Sequence, residues 1–255
     1  MFAIAGLVIL TSTTALASGV QPTTTEPITQ GSQQVIESQF LTRDGSRLLL
    51  NGEEFRAIGA NHADLIWSFI DNNSIAENGT KVIEDAAKWE IKILRYSAIG
   101  CGPSARPFIE LWKNDSDEFW LRYDNLVGIA SRLNVYLLPC LVWTTNLCEP
   151  FAYIAHFNGT DYNQTLEEIQ ELFDIDSNTS KLFRDFTAQF VEHYKDNSTI
   201  LMWEVGNELD LTCNNPNRPN ESYTTVSTLR AFLSNTTEHI RSLEPARLPL
   251  AHGKT

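Results

Sequence analysis

Positive charge is scarce in this chain. Its 255 residues carry 19 Lys and Arg against 32 Asp and Glu, a formal net charge of −13. Nucleic acid is excluded as a partner, because no basic patch answers the phosphates. An anionic membrane surface is disfavoured for the same reason. Cysteine is sparse as well: Cys101, Cys140, Cys148 and Cys213 are the whole set. Four are too few for a disulfide scaffold, and no pair has the C-x-x-C spacing of a zinc site. A dinucleotide fingerprint, G-x-G-x-x-G after a first strand, is missing. A neutral ligand such as a polysaccharide is compatible with the acidity but not demanded by it.

The first seventeen residues carry no charge. The apolar run from Phe2 to Leu10 is too short to span a bilayer, and Ala15-Leu16-Ala17 has the A-x-A form of a cleavage site. Residues 1–17 therefore read as a signal peptide, though one without a basic start. Residues 18–34, rich in Ser, Thr, Gln and Pro, read as a disordered or O-glycosylated linker. The folded domain is expected from Val35 to Thr255. Sequons occur at Asn72, Asn78, Asn114, Asn158, Asn163, Asn178, Asn197, Asn220 and Asn235. Roughly three would arise by chance, so the expectation is a secreted, extracellular glycoprotein with no membrane attachment after cleavage. In that compartment one or two disulfides are expected, Cys148 with Cys213 among them, whereas Cys140 inside an apolar strand also reads as a buried thiol.

Turn signals at Asp44-Gly45 and Asn51-Gly52 flank a short apolar strand, the pattern of a small β-meander. Beyond it, strands and helices alternate. Residues 55–60, 91–97, 135–143 and 200–208 read as strands, with Pro139 arguing against regular pairing in the third. Helical spacing relates Val82, Ile83, Ala86, Ala87 and Trp89. It also relates Leu126, Ile129, Ala130 and Leu133; then Phe183, Phe186, Phe190 and Tyr194; then Val226, Leu229, Leu233 and Ile240. Residues 144–179 read as a long insertion, and Pro249-Leu250-Ala251-His252 as a fifth strand opening. Repeated strand–helix units mean an α/β fold with a parallel sheet, either a (β/α)8 TIM barrel or a doubly wound sheet. Spacing of about fifty residues per unit leaves room for only the first four to five units of a barrel.

The run Ile200-Leu201-Met202-Trp203-Glu204-Val205 ends in Gly206-Asn207-Glu208. Carboxyl ends of parallel strands are where ligands bind and chemistry occurs. Glu208 as a catalytic acid beside Asn207 as an orienting amide is one reading. A solvated polar strand exit is the other. Asn61, His62 and Asp64 at the first strand's exit fit a cleft role or a capping role equally.

These strand ends together resemble the cellulase-type family five of the glycoside hydrolases, and endo-β-mannanases most within it. The pieces occur in family order: Asn51-Gly52-x-x-Phe55-Arg56-x-Ile58-Gly59-x-Asn61, Ile93-Leu94-Arg95, Leu141-Val142-Trp143 and Trp203-x-x-Gly206-Asn207-Glu208. The resemblance spans about Val35 to Thr255. It implies a (β/α)8 barrel and a retaining mechanism on β-linked polysaccharide, of mannan or glucan type. Glu208 would be the general acid/base, partly buried to hold its pKa near working pH. Asn207 would bond the sugar 2-hydroxyl. Arg95 would orient a nucleophilic carboxylate, or else form a structural ion pair. Trp143 would stack on a sugar or serve the core. His62 and Asn61 would line the substrate cleft. No metal or other cofactor is implied, and a monomer is expected.

The family's nucleophile, a Glu on strand seven, has no counterpart before Thr255. Glu204 shares the strand of Glu208, but a nucleophile there would break the pattern. The stretch alone is therefore expected to be inactive, the first half of a longer hydrolase. The alternatives are a non-catalytic carbohydrate-binding half-barrel and an unrelated secreted α/β protein.

Overall fold

The computed structural model describes residues 40–70, 76–100, 106–143, 150–156, 165–213, 224–245 and 249–250. The expected signal peptide and linker lie outside the described residues. So do Cys101, Cys148 and with it the Cys148–Cys213 pairing, and the sequons at Asn72, Asn158, Asn163 and Asn220.

The chain opens with the expected meander. Strands β1 (Thr42–Asp44), β2 (Arg47–Leu50) and β3 (Glu53–Glu54) pair antiparallel. Asn51 and Gly52 between the last two have φ of 53° and 80°. Positive φ at both positions suits a two-residue turn to the twist of its strands. The meander buries Leu41 with Leu201 and Met202, packed by Leu48, Leu50, Phe55, Ile93, Tyr136 and Leu138. These last residues open the longer strands, so the meander plugs the amino end of the main sheet.

That sheet is parallel. Strands β4 (Gly59–Asn61), β5 (Ile93–Ser97), β6 (Tyr136–Trp143), β7 (Trp203–Asn207) and β8 (Pro249–Leu250) are hydrogen-bonded in chain order. A doubly wound sheet reverses its order at a switch point and a barrel does not. The sequential order therefore decides between the two expected folds in favour of the barrel arrangement. The strand expected from Phe55 is shorter than its apolar run. Phe55 still donates its N–H to Leu48 in the meander, and pairing begins at Gly59.

Pro139 disturbs pairing on one side only. Toward β5 the register is unbroken, with Tyr96 opposite Pro139. Toward β7 it slips by one residue. Leu137 bridges Ile200, yet Cys140 lies opposite Glu204. Two residues of β6 thus face three before and in β7, a bulge beside the proline, which has no N–H to give. Leu201 and Met202 both join the plug as a result, while Ile200 and Trp203 face the helices.

The helices are α1 (Trp67–Ile70), α2 (Ala76–Lys88), α3 (Arg106–Asn114), α4 (Ser116–Arg132), α5 (Pro150–His156), α6 (Leu166–Gln170), α7 (Asn178–Tyr194) and α8 (Val226–Leu243). Side chains of Asp115, Ser177 and Thr225 accept N–H groups at the starts of α4, α7 and α8, satisfying donors the helix leaves orphaned. The stripe Phe183, Phe186, Phe190 and Tyr194 is buried as expected. It meets α4 in an aromatic layer, with Tyr123–Phe190 centroids at 4.9 Å and Phe190–Trp203 at 5.7 Å. Such edge contacts add roughly 0.5–1.5 kcal/mol each to the burial. Burial also pushes the Tyr123 phenol well above its ordinary pKa, so it stays a neutral donor, here to the Ala98 carbonyl at 2.9 Å.

Several expectations change. Trp89 is 71% exposed, because it lies past the end of α2 in the turn formed by Glu90 at φ 58°. Val226 is exposed as the first residue of α8, and Phe232 takes the inward place. The stretch 144–179 contains α5, α6 and a 3-10 turn (Glu171–Phe173), so it is a packed subdomain and not an open loop. Helix α3 is an addition to the expected list of elements.

Candidate active site

The carboxyl ends of β4 to β7 converge on one side chain. Arg95 sits in the middle of β5, between Leu94 and Tyr96, which pack outward into the core. Its own side chain takes the opposite face. There it reaches past β6 to β7, a span of two strand spacings, roughly 9–10 Å. Glu204, fully buried on β7, receives it. Nε donates to Glu204 Oε2 at 2.6 Å and Nη2 to Oε1 at 2.7 Å. This bidentate geometry is what makes a guanidinium pair with a carboxylate strongly.

The same guanidinium holds three further strand ends. Nη2 also donates to Asn207 Oδ1 at 2.9 Å, and Nη1 to Asn61 Oδ1 at 3.1 Å. The Trp143 ring at the end of β6 lies under it, 4.7 Å from its centroid to Cζ. Cation–π contact adds attraction without using an N–H. Burial alone would pull the Arg95 pKa down. The Glu204 hydrogen bonds and charge, with smaller contributions from Cys140 and Glu208, outweigh that and hold it above its ordinary value. Arg95 is therefore a fixed cation.

Glu208 follows Asn207 directly. It leaves the strand with φ 47° and ψ 34°, the left-handed region. A non-glycine residue there is strained, and such strain gathers at functional positions. The turn is set by its neighbours. Leu209 is fully buried, and an added Cβ at Gly206 would lie 2.5 Å from Leu209 Cδ1. Glycine at 206 lets the chain fold back so tightly that residue 208 is turned outward. Glu208 is exposed, whereas partial burial was expected. Among the described residues none closes over it.

The other expected site residues divide. Asn207, Asn61 and Trp143 join Arg95. Trp143, 7% exposed, lies beneath the guanidinium. His62 does not join through its side chain. Its N–H donates to the Arg95 carbonyl at 2.8 Å, and its buried Nδ1 has no hydrogen-bond partner among the described residues. The Asp64 carbonyl accepts from Trp67 at the start of α1, and its side chain is exposed. Glu204 was weighed only as an improbable nucleophile, and its part in the network was missed. One signal was legible: Arg95 and Glu204 are single opposite charges inside apolar strands, and each must find a partner when buried. Among the described residues no cluster of three or more His, Cys, Asp or Glu side chains is arranged to hold a metal.

No protein-family model matches the chain, and no curated protein matches it by sequence. Solved structures do match in shape. The endo-1,4-β-mannanase from Rhizomucor miehei superposes with a TM-score of 0.61 at 19% identity, over 82% of this chain and 59% of that one. A glycoside hydrolase family 5 mannosidase from the same fungus gives 0.62 at 18%, over 84% and 56%. A β-glucanase from Saccharophagus degradans gives 0.52 at 16%, over 84% and 54%. The chain thus spans a little over half the length of these structures. At such identities the likeness is one of fold, that of family 5 glycoside hydrolases with their (β/α)8 barrels.

Proposed function

We propose that this chain carries the acid/base half of a secreted retaining glycoside hydrolase acting on neutral β-linked polysaccharide, of mannan or glucan type. The observation that carries the reading is the cluster at the strand ends. One guanidinium ties together Glu204, Asn207, Asn61 and Trp143, directly beside an outward-turned Glu208. Amides, an indole and a carboxylate are the groups that bind a sugar and protonate its leaving oxygen.

In the proposed mechanism Glu208 first donates a proton to the glycosidic oxygen as the bond breaks. It then removes one from the water that releases the glycosyl intermediate. Asn207 bonds the sugar hydroxyl next to the reacting carbon, a contact that strengthens as the ring takes on oxocarbenium character. A retaining reaction needs a second carboxylate about 5–5.5 Å away as nucleophile. Glu204 does not fit that part, since both its oxygens are committed to Arg95 and it is shut from solvent. The nucleophile is therefore unassigned among the described residues. Acidity and neutral substrate agree, because a carboxylate-rich surface repels anionic glycans. The mechanism needs neither metal nor organic cofactor, and we propose a monomeric enzyme.

The test is hydrolysis of β-mannan and β-glucan by the longest form of the protein that its transcript encodes. Glu208→Gln should lower kcat on polysaccharide by about 10²–10⁴-fold. On an aryl glycoside with a good leaving group, which needs no proton, the first step should survive. Wild-type rates from Glu208→Gln on polysaccharide would end the assignment. Oligosaccharide binding without hydrolysis by the parent protein would favour a carbohydrate-binding module instead, a reading the exposed Glu208 also fits.

A further inference from the structure

Arg95 has five N–H groups and no acceptor. Four are donated: one from Nε and one from Nη2 to Glu204, one from Nη2 to Asn207, one from Nη1 to Asn61. Because the guanidinium only donates, both amides must turn their oxygens toward it. Their NH2 groups consequently face away from it. Glu204 is the one partner that supplies full counter-charge from a dry position. Glu208 is the competing carboxylate, close enough to contribute to the field at Arg95. The ionisable groups acting on Arg95 are thus Glu204, Glu208 and the Cys140 thiol.

We propose that Glu204 is a positioning residue for the hydrolase reading, on which this inference rests. It fixes Arg95 so that Asn207 and Asn61 offer N–H groups to the oxygens of a bound sugar. It also keeps the guanidinium from pairing with Glu208. An acid/base carboxylate seized by a fork of N–H donors would stay ionised and would be no acid. Glu204 takes that fork with both oxygens and leaves Glu208 able to carry its proton. The two carboxylates, four residues apart on one segment, thus divide the work: one neutralises, the other titrates.

The test is Glu204→Gln, a change of charge with little change of shape, made in the full chain in its longest expressed form. On polysaccharide, kcat should fall about 10²-fold with KM little changed, and on an activated aryl glycoside the rate should fall far less. The alkaline limb of the pH–rate profile should move to lower pH, since the freed guanidinium favours the Glu208 anion. Equal losses on both substrates with an unmoved pH profile would mean a purely structural role and would overturn the proposal. If Glu204→Gln does not fold, the double variant Glu204→Gln, Arg95→Gln removes both buried charges together. It should fold, and its losses should no longer depend on the leaving group. Retained leaving-group dependence in it would refute the competition with Glu208.

Should the parent show no hydrolysis, the hydrolase reading fails by itself. The positioning claim is then read from side-chain 15N spectra. Glu204→Gln should speed exchange of the Arg95 Nε–H and move the amide signals of Asn207 and Asn61. Unmoved amide signals would sink the chain of contacts from Glu204 through Arg95.

Discussion

The two faces of the parallel sheet are stabilised in opposite ways. The outer face meets α4 and α7 through many rings, each touching several others: Phe190 alone lies against Phe186, Tyr123, Trp120, Tyr194 and Trp203. The inner face at the carboxyl ends depends on one guanidinium with four committed N–H groups. Redundant apolar contact gives stability that is spread out and indifferent to chemistry. A hub gives orientation, and losing any spoke reorients the rest. The difference teaches where to expect damage to the fold and where to expect damage to the site.

The strongest way to break the comparison is at Phe190. Phe190→Ala empties a fully buried position and should cost about 3–5 kcal/mol in denaturant unfolding. Ligand binding per folded molecule should be unchanged. Binding lost ahead of stability would show that the helical layer also shapes the site.

Gly206→Ala comes next and lies on the boundary between the faces. The new Cβ would meet Leu209 at 2.5 Å, and Leu209 is fully buried and cannot swing clear. The expected cost is about 1–3 kcal/mol from overpacking. Activity should fall further than that, because relief comes by moving the turn that aims Glu208. Kinetics and a melting curve on the same preparation separate the two effects.

The smallest effect is the sharpest. Glu90 and Glu208 share the left-handed conformation, at φ 58° and 47°. Glu90 closes α2, where Ile91 donates back to the Ala86 carbonyl at 2.9 Å, a helix end that favours glycine. Glu90→Gly should raise stability by about 1 kcal/mol, with function untouched. Glu208→Gly should relieve similar strain yet abolish acid catalysis. If Glu90→Gly gave no gain, strain at Glu208 would lose its meaning as a mark of function.

Much of this architecture was legible beforehand. The strands at residues 91–97 and 135–143 were placed within two residues at each end. The stripe of Phe183, Phe186, Phe190 and Tyr194 was read correctly because helical period and burial coincide there. The helices that escaped, α3 and α5, both carry a proline in the first turn, Pro107 and Pro150. Proline argues against a helix everywhere except in that turn, where its missing N–H has no partner to lose. Trp89 misled because hydrophobicity does not tell a last helical turn from the residue after it. At the site, Asn207, Asn61, Arg95 and Trp143 were named from their strand ends. Their mutual arrangement was not legible, because it depends on Arg95 reaching over an entire strand to Glu204. Sequence shows which residues lie at strand ends, not which partner a long side chain selects two strands away.

The slipped register beside Pro139 bears on how this protein can change over generations. Side chains along a strand alternate, so the extra residue before β7 acts as a spacer that sets the phase of all that follows. With it, Trp203 faces the helices and Glu204 faces Arg95. Lineages can exchange Leu201 or Met202 for other apolar groups, since either still fills the plug. They cannot drop one of the pair, because a single deletion would present the indole to the guanidinium and drive the carboxylate into the aromatic layer. Substitution is the open route of divergence at this point of the chain, and change of length is closed.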